Sequence, residues 1–150
     1  MTFTIPRPLK VEHDELHQEL VSATKEPGSV GEAAKRVAGL LHPHFVKEEE
    51  YALPPLGLLA EVAQGRITPD MKAVLALTDR LKADLPEMLK EHGAIVDALD
   101  GLSRAAREAG KPRYAHFAEK LILHAQTEEQ VMYPAALAVG ALVRQALERS

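Results

Sequence analysis

A chain of 150 residues carrying a formal charge of -4, with 46% apolar and 27% charged residues, has the length of one core and the balance of a globular protein. The mild negative charge, with no basic block, excludes phosphate-neutralising binding to nucleic acid, and no stretch approaches the roughly 20 apolar residues of a membrane span. With no cysteine, disulfides, thiolate zinc sites and cysteine-ligated iron–sulfur clusters are excluded as well. A single domain over 1–150 is expected. The N-terminus lacks a charged region followed by an apolar one, so a cytoplasmic location is expected too.

Aromatic residues make up only 4% and β-branched runs are scarce, which favours helices over sheets. After an arm ending near Pro8, Leu9, His13, Leu16, Leu20 and Ala23 recur at alternating steps of four and three, the seam of a helix packed lengthwise. Pro27-Gly28 ends it. A second seam runs Val30, Ala34, Val37, Leu41, His44, Glu48 and Tyr51 up to Pro54-Pro55. Pro43 falls inside it, and Gly39 four residues earlier leaves room for a kink rather than an end. Residues 56–83 read as shorter helical material, with a turn around Gly65 and a restart at Thr68-Pro69-Asp70. The third seam is Met88, His92, Ile95, Leu99, Leu102 and Ala106. Pro86 either kinks a long helix that begins near Asp70 or opens a new one capped by Asp84. The fourth seam is Phe117, Leu121, His124, Glu128, Val131 and Ala135, interrupted by Pro134, and 135–149 can form a short closing helix. The expected fold is all-α: an up-down four-helix bundle with an extra helical segment between helices 2 and 3 and a short C-terminal helix.

The polar residues of these seams repeat. His44, Glu48, Glu49 and Pro54 recur at a shift of 80 as His124, Glu128, Glu129 and Pro134, and Glu12-His13 recurs at a shift of 79 as Glu91-His92. The chain is therefore two copies of a helical hairpin, each offering one lone His and one His-x-x-x-Glu pair. Residues four apart share a helix face, so each pair aims two donors at one point. Two hairpins packed face to face bring four imidazoles and two carboxylates together. Burying even one unpaired carboxylate costs several kcal/mol or forces it to take a proton, an objection that a cation removes. The donor set has too much nitrogen for magnesium or calcium and no sulfur for structural zinc, so it suits divalent transition metals. Six ligands shared by two metals, with both carboxylates bridging, leave coordination positions open.

The lone His13, the run His44-x-x-x-Glu48-Glu49 ending in Pro54, the lone His92, and His124-x-x-x-Glu128-Glu129 ending in Tyr133-Pro134 resemble the hemerythrin and HHE cation-binding family over about residues 9–137. The resemblance implies a four-helix bundle with a non-haem di-iron centre. In it, His13, His44, Glu48, His92, His124 and Glu128 are the ligands of two oxo- or hydroxo-bridged iron ions, and Glu48 and Glu128 span both. It also implies an exogenous partner that is small, namely dioxygen, nitric oxide or peroxide. Oxygen-carrying members have a fifth histidine one turn after the third-helix one and an aspartate five residues after the last. Here those places hold Val96 and Glu129. The arrangement is closer to four-histidine, two-glutamate centres, and without cysteine a repair role is not expected.

Beside the six, His17 lies one turn beyond His13 and is either a fifth ligand or outer partner, or a boundary histidine. Tyr51, one turn past Glu48, either bonds a bridging carboxylate or fills the bundle end. His42 lies about 200° around the helix from His44, and His116 is two turns from His124, so neither is expected to ligate. Glu49 and Glu129 stand about 100° off the ligand face, as outer partners or in solvent. Three function classes follow: an oxidoreductase that reacts with peroxide or dioxygen; a binding role in gas sensing or iron storage without turnover; and a metal-free interaction bundle. No catalytic acid or base is identified beyond His17 and Tyr51.

Overall fold

The computed structural model describes residues 2–149, and every regular element among them is helical. The six α-helices are α1 (Arg7–Thr24), α2 (Gly28–Lys47), α3 (Leu59–Ala63), α4 (Val74–Glu108), α5 (Pro112–Thr127) and α6 (Tyr133–Arg149). Helices α1, α2, α4 and α5 form the bundle, with α1 on α2, α2 on α4, α4 on α5 and α5 on α1, and the closing helix α6, expected to be short, runs 17 residues. The extra segment between the second and third long helices consists of a 3-10 turn (Pro54–Leu58), α3, and a second 3-10 turn (Pro69–Ala73). Gly65 makes the bend after α3 at φ +76°, a conformation that glycine adopts without a Cβ penalty.

Both internal prolines are accommodated. Pro43 lies within α2, and Pro86 lies within α4, which runs 35 residues without a break. The third seam is therefore the second half of one long helix. Asp84 caps nothing; its carboxylate accepts a hydrogen bond from the Tyr51 hydroxyl. The long first half of α4 gives α6 a surface to pack on, and the contact is close: a Cβ built at Gly140 would stand 2.2 Å from Thr78 Oγ1 and 2.6 Å from Thr78 Cβ.

The core falls into clusters separated along the bundle axis. One cluster gathers Leu16, Leu20, Leu41, Phe45, Ile95, Leu99, Leu121 and their neighbours. A second gathers Tyr51, Leu53, Leu81, Met88, Met132 and Tyr133, with Leu9 packed against it. On every bundle helix the polar seam residue lies between a residue of the first cluster and one of the second: His13 between Leu16 and Leu9, Glu48 between Phe45 and Tyr51, His92 between Ile95 and Met88, Glu128 between Leu121 and Met132. The helices are thus pinned at both ends of a polar layer, each large apolar side chain contributing about 1.5–3 kcal/mol by burial. No described helix is long and apolar enough to cross a membrane.

Gly140→Ala should destabilise the fold by about 1–3 kcal/mol, because the new methyl has to displace Thr78. Thermal unfolding followed by circular dichroism should show a fall of roughly 2–4 °C for each kcal/mol, and adding Thr78→Ala should restore part of it.

Candidate metal centre

The centre begins with a local consequence of the prolines that close each His-x-x-x-Glu run. A proline has no N–H and its ring crowds the carbonyl four residues back, so a helix that meets one has to adjust locally by bending, widening or ending. In both repeats the chain responds by widening one turn. Residues Glu48–Ala52 and Glu128–Met132 form π turns, with the N–H of Leu53 donating to the carbonyl of Glu48 and that of Tyr133 to the carbonyl of Glu128. Each π turn starts at the glutamate that faces the interior. Such single π turns are characteristic of functional sites because they re-aim side chains that an α-helix would hold elsewhere.

The six seam residues converge, and none is more than 7% exposed. Donor atoms of His44, Glu48, His92 and Glu128 all lie within 4.8 Å of one another, as do those of His13, His124 and Glu128. Glu128 belongs to both groups: Oε1 is 3.3 Å from His92 Nε2, while Oε2 is 3.4 Å from His13 Nε2 and 3.2 Å from His124 Nε2. Glu48 spans in the same manner, with Oε2 3.6 Å from His44 Nε2 and Oε1 3.7 Å from His13 Nε2. Every imidazole faces inward through Nε2. The His13 ring is held by Phe45, stacked at 4.2 Å between centroids.

On the outer side, each Nδ1 faces a carboxylate. His44 Nδ1 is 2.8 Å from Glu91 Oε1 and His92 Nδ1 is 3.0 Å from Glu129 Oε1. His124 Nδ1 is in contact with Glu12, and His13 Nδ1 stands 3.6 Å from Glu49 Oε2. An ionised carboxylate only accepts, so in the hydrogen-bonded pairs Nδ1 carries the proton and a neutral ring leaves its Nε2 lone pair free for the interior. This is the arrangement that orients metal-bound histidines and raises their basicity. The pattern obeys the repeat: Glu12 of one hairpin serves His124 of the other, and Glu91 serves His44. Glu49 and Glu129 are hairpin-internal. Lys47 Nζ anchors Glu91 at 2.6 Å and Lys10 Nζ anchors Glu49 at 2.9 Å.

With no cation, the layer is electrostatically unsettled. Burial and the neighbouring charge of Glu128 push the Glu48 carboxyl up to about 7. Burial acts on Glu128 in the same sense, but hydrogen bonds from Glu48, His124, His13 and His92 outweigh it and hold it well below the usual carboxylate range. Burial lowers His124, yet its bond to Glu128 and that carboxylate's charge carry it to about 9. Two carboxylates this close resist ionising together in a dry interior. Among the described residues, Glu48 Oε1 is buried without any hydrogen-bond partner. A cation supplies what that oxygen lacks, and the oxygen and imidazole donors around it fit a transition metal.

The remaining expectations distribute differently. His17 is exposed, its ring centroid 6.3 Å from that of His42, and it joins neither donor group. His42 and His116 are exposed. Tyr51 is buried but turns to Asp84 and to Met88 Sδ at 3.7 Å, away from the bridging carboxylates. Tyr133 is the residue that sequence reasoning missed: its hydroxyl donates to Glu48 Oε2 at 2.6 Å and lies 3.2 Å from His44 Nε2 and 3.1 Å from His92 Nε2. The π turn explains the miss. It shifts the fourth seam by one residue, leaving Val131 58% exposed and burying Met132, Tyr133 and Ala136 instead. The proline at 134, aligned with Pro54, was the available signal. Glu12 and Glu91 were visible as part of the repeat but not as partners of the opposite hairpin's histidines.

Fold and site together define an all-helical bundle with a buried pair of His/Glu groups joined on Glu128, the arrangement of a binuclear cation site. The family model described as hemerythrin HHE cation binding domain matches residues 4–136, and the chain belongs to that family. Comparison with curated proteins and with solved structures returns no match.

Metal ligands must be deprotonated, whereas without metal His124 is carried up to about 9 and Glu48 up to about 7, so both favour holding a proton near neutrality. Loading the metal-free protein at neutral pH should therefore release protons, and apparent affinity should rise as pH goes from about 6 to about 9. Calorimetric titrations in buffers of different ionisation enthalpy measure that release; an affinity independent of pH would contradict it.

Proposed function

We propose that His13, His44, Glu48, His92, His124 and Glu128 hold two iron ions, with Glu48 and Glu128 bridging them, and that the centre binds or reacts with dioxygen, peroxide or nitric oxide. The observation that carries the reading on ligand size is the space left beside the donors. A cavity of about 10 Å³ lies against His44, His92, His124 and Glu128, walled by Leu41, Phe45, Ile95, Leu121 and Ala125. That is room for about one water-sized particle, behind apolar walls that disfavour water and leave no space for an organic substrate. Iron is favoured over other metals suited to imidazole and carboxylate because it supplies redox chemistry toward such small oxidants. The protein's share is to hold the donors in place, orient each ring with Nε2 inward through the outer carboxylates, and exclude larger molecules.

Protein purified without chelator from iron-supplied cells should carry about two irons per chain. His124→Ala and Glu128→Ala should each lower iron content and melting temperature, since metal binds only the folded site. Unchanged iron content in both variants would reject the ligand assignment, and absence of iron in the parent would leave a metal-free bundle. Adding hydrogen peroxide to the loaded protein should give oxygen release over many turnovers. Stoichiometric oxidation that then stops would favour a binding, sensing or storage role instead.

A further inference from the structure

The two halves of the centre are unequal, and the inequality rests on one residue. At a shift of 80, Tyr133 of the second hairpin corresponds to Leu53 of the first, each directly before the proline that closes its run. Both are buried, but they do different things. Leu53 is part of an apolar cluster, whereas the Tyr133 hydroxyl enters the group of His44, Glu48, His92 and Glu128.

Its surroundings are not those of an ordinary buried phenol. The hydroxyl oxygen is within 3.2 Å of three donor atoms, Glu48 Oε2, His44 Nε2 and His92 Nε2, and the two Nε2 atoms are themselves 2.8 Å apart. Glu91 and Glu129 face Nδ1 of the two rings and the phenolic hydrogen is directed to Glu48, so two imidazole Nε2 atoms, a carboxylate oxygen and the phenol oxygen crowd one point. Donors about 2.1 Å from a common octahedral ion stand about 3 Å from each other, which is the spacing found around this oxygen.

We infer that the Tyr133 oxygen is a fifth protein donor to the metal position formed by His44, His92, Glu48 and Glu128, while the position formed by His13 and His124 has no such donor. This rests on the proposed binuclear site. Tyr133 would then do for one metal what an additional histidine does in a five-histidine centre. Coordination costs the phenol its hydrogen, which leaves as a proton to solvent when the metal binds.

The chain has three tyrosines and no tryptophan, so its near-ultraviolet spectrum reports on phenols with little interference. Metal-free protein should be titrated with zinc(II), which is colourless and redox-silent. A difference spectrum of a single phenol converting to phenolate should grow in step with zinc uptake. It should persist in Tyr51→Phe, whose hydroxyl faces Asp84, and vanish in Tyr133→Phe, which should still retain metal through the six other residues. In iron-loaded protein oxidised by air, a visible phenolate-to-iron band should likewise be present in the parent and absent from Tyr133→Phe. Retention of zinc by the parent with no phenolate signal overturns the role of Tyr133 and leaves the metal site standing. A signal that survives in Tyr133→Phe overturns it too, and a parent that retains neither zinc nor iron overturns both readings. The parent titration decides the matter even should Tyr133→Phe fold poorly.

Discussion

Two carboxylates, Glu48 and Glu128, face one another in the interior of a small helical bundle, and the rest of the molecule is organised around making that tolerable. Each is surrounded by inward-pointing imidazole nitrogens, and the imidazoles are in turn backed by Glu12, Glu49, Glu91 and Glu129. Two of those outer carboxylates are met by Lys10 and Lys47 at the surface. The shells alternate in character, but their charges do not close: six carboxylates are answered by two lysines. Water offsets the deficit at the half-exposed outer shell, whereas nothing apolar offsets it at the buried pair. A cation held at the two donor groups has the sign and the position to offset it.

The prolines turn an electrostatic requirement into geometry. His-x-x-x-Glu places two donors on one face of any helix, yet a regular helix would continue that face with further apolar seam residues. Ahead of Pro54 and Pro134 a π turn forms at each glutamate, which inserts one residue and rotates everything downstream. In the first hairpin the shifted chain enters a buried 3-10 turn; in the second it runs straight on as α6, with Tyr133 swung inward. The same device thus yields an apolar residue on one side of the pseudo-symmetric layer and a phenol on the other.

This history explains which parts were legible in the sequence. Four seams, the extra segment between the second and third long helices, and the six converging side chains all follow from a period that survives as long as the helix is regular, and over α1, α2, α4 and α5 it does. Tyr133 and the exposure of Val131 were illegible for the same reason in reverse, since a seam read at alternating steps of three and four has no place for one inserted residue. Pro86 was ambiguous because nothing local distinguishes a proline that starts a helix from one inside it. Packing of α6 along the first half of α4 makes the longer helix worth forming, and that contact is far away in sequence. The outer carboxylates needed the mutual rotation of helices, which no single-helix periodicity contains.

The two apolar clusters flanking the polar layer are not interchangeable either. On the side of Tyr51, Leu53, Met88 and Met132, the layer is closed by the Tyr133 ring, whose hydroxyl is bonded to Glu48. On the side of Leu41, Phe45, Ile95 and Leu121 it is bounded by hydrocarbon alone, and there the small cavity lies. Phe45 holds a double position: it stacks on His13 and also lines a second apolar cavity, of about 40 Å³, that lies under His17 and His42 between α1 and α2. Leu41 is shared by the two cavities as well. Leu41 and Phe45 are thus the residues that stand between the two cavities. An ion or an organic substrate would meet these two side chains as a desolvation cost or a clash.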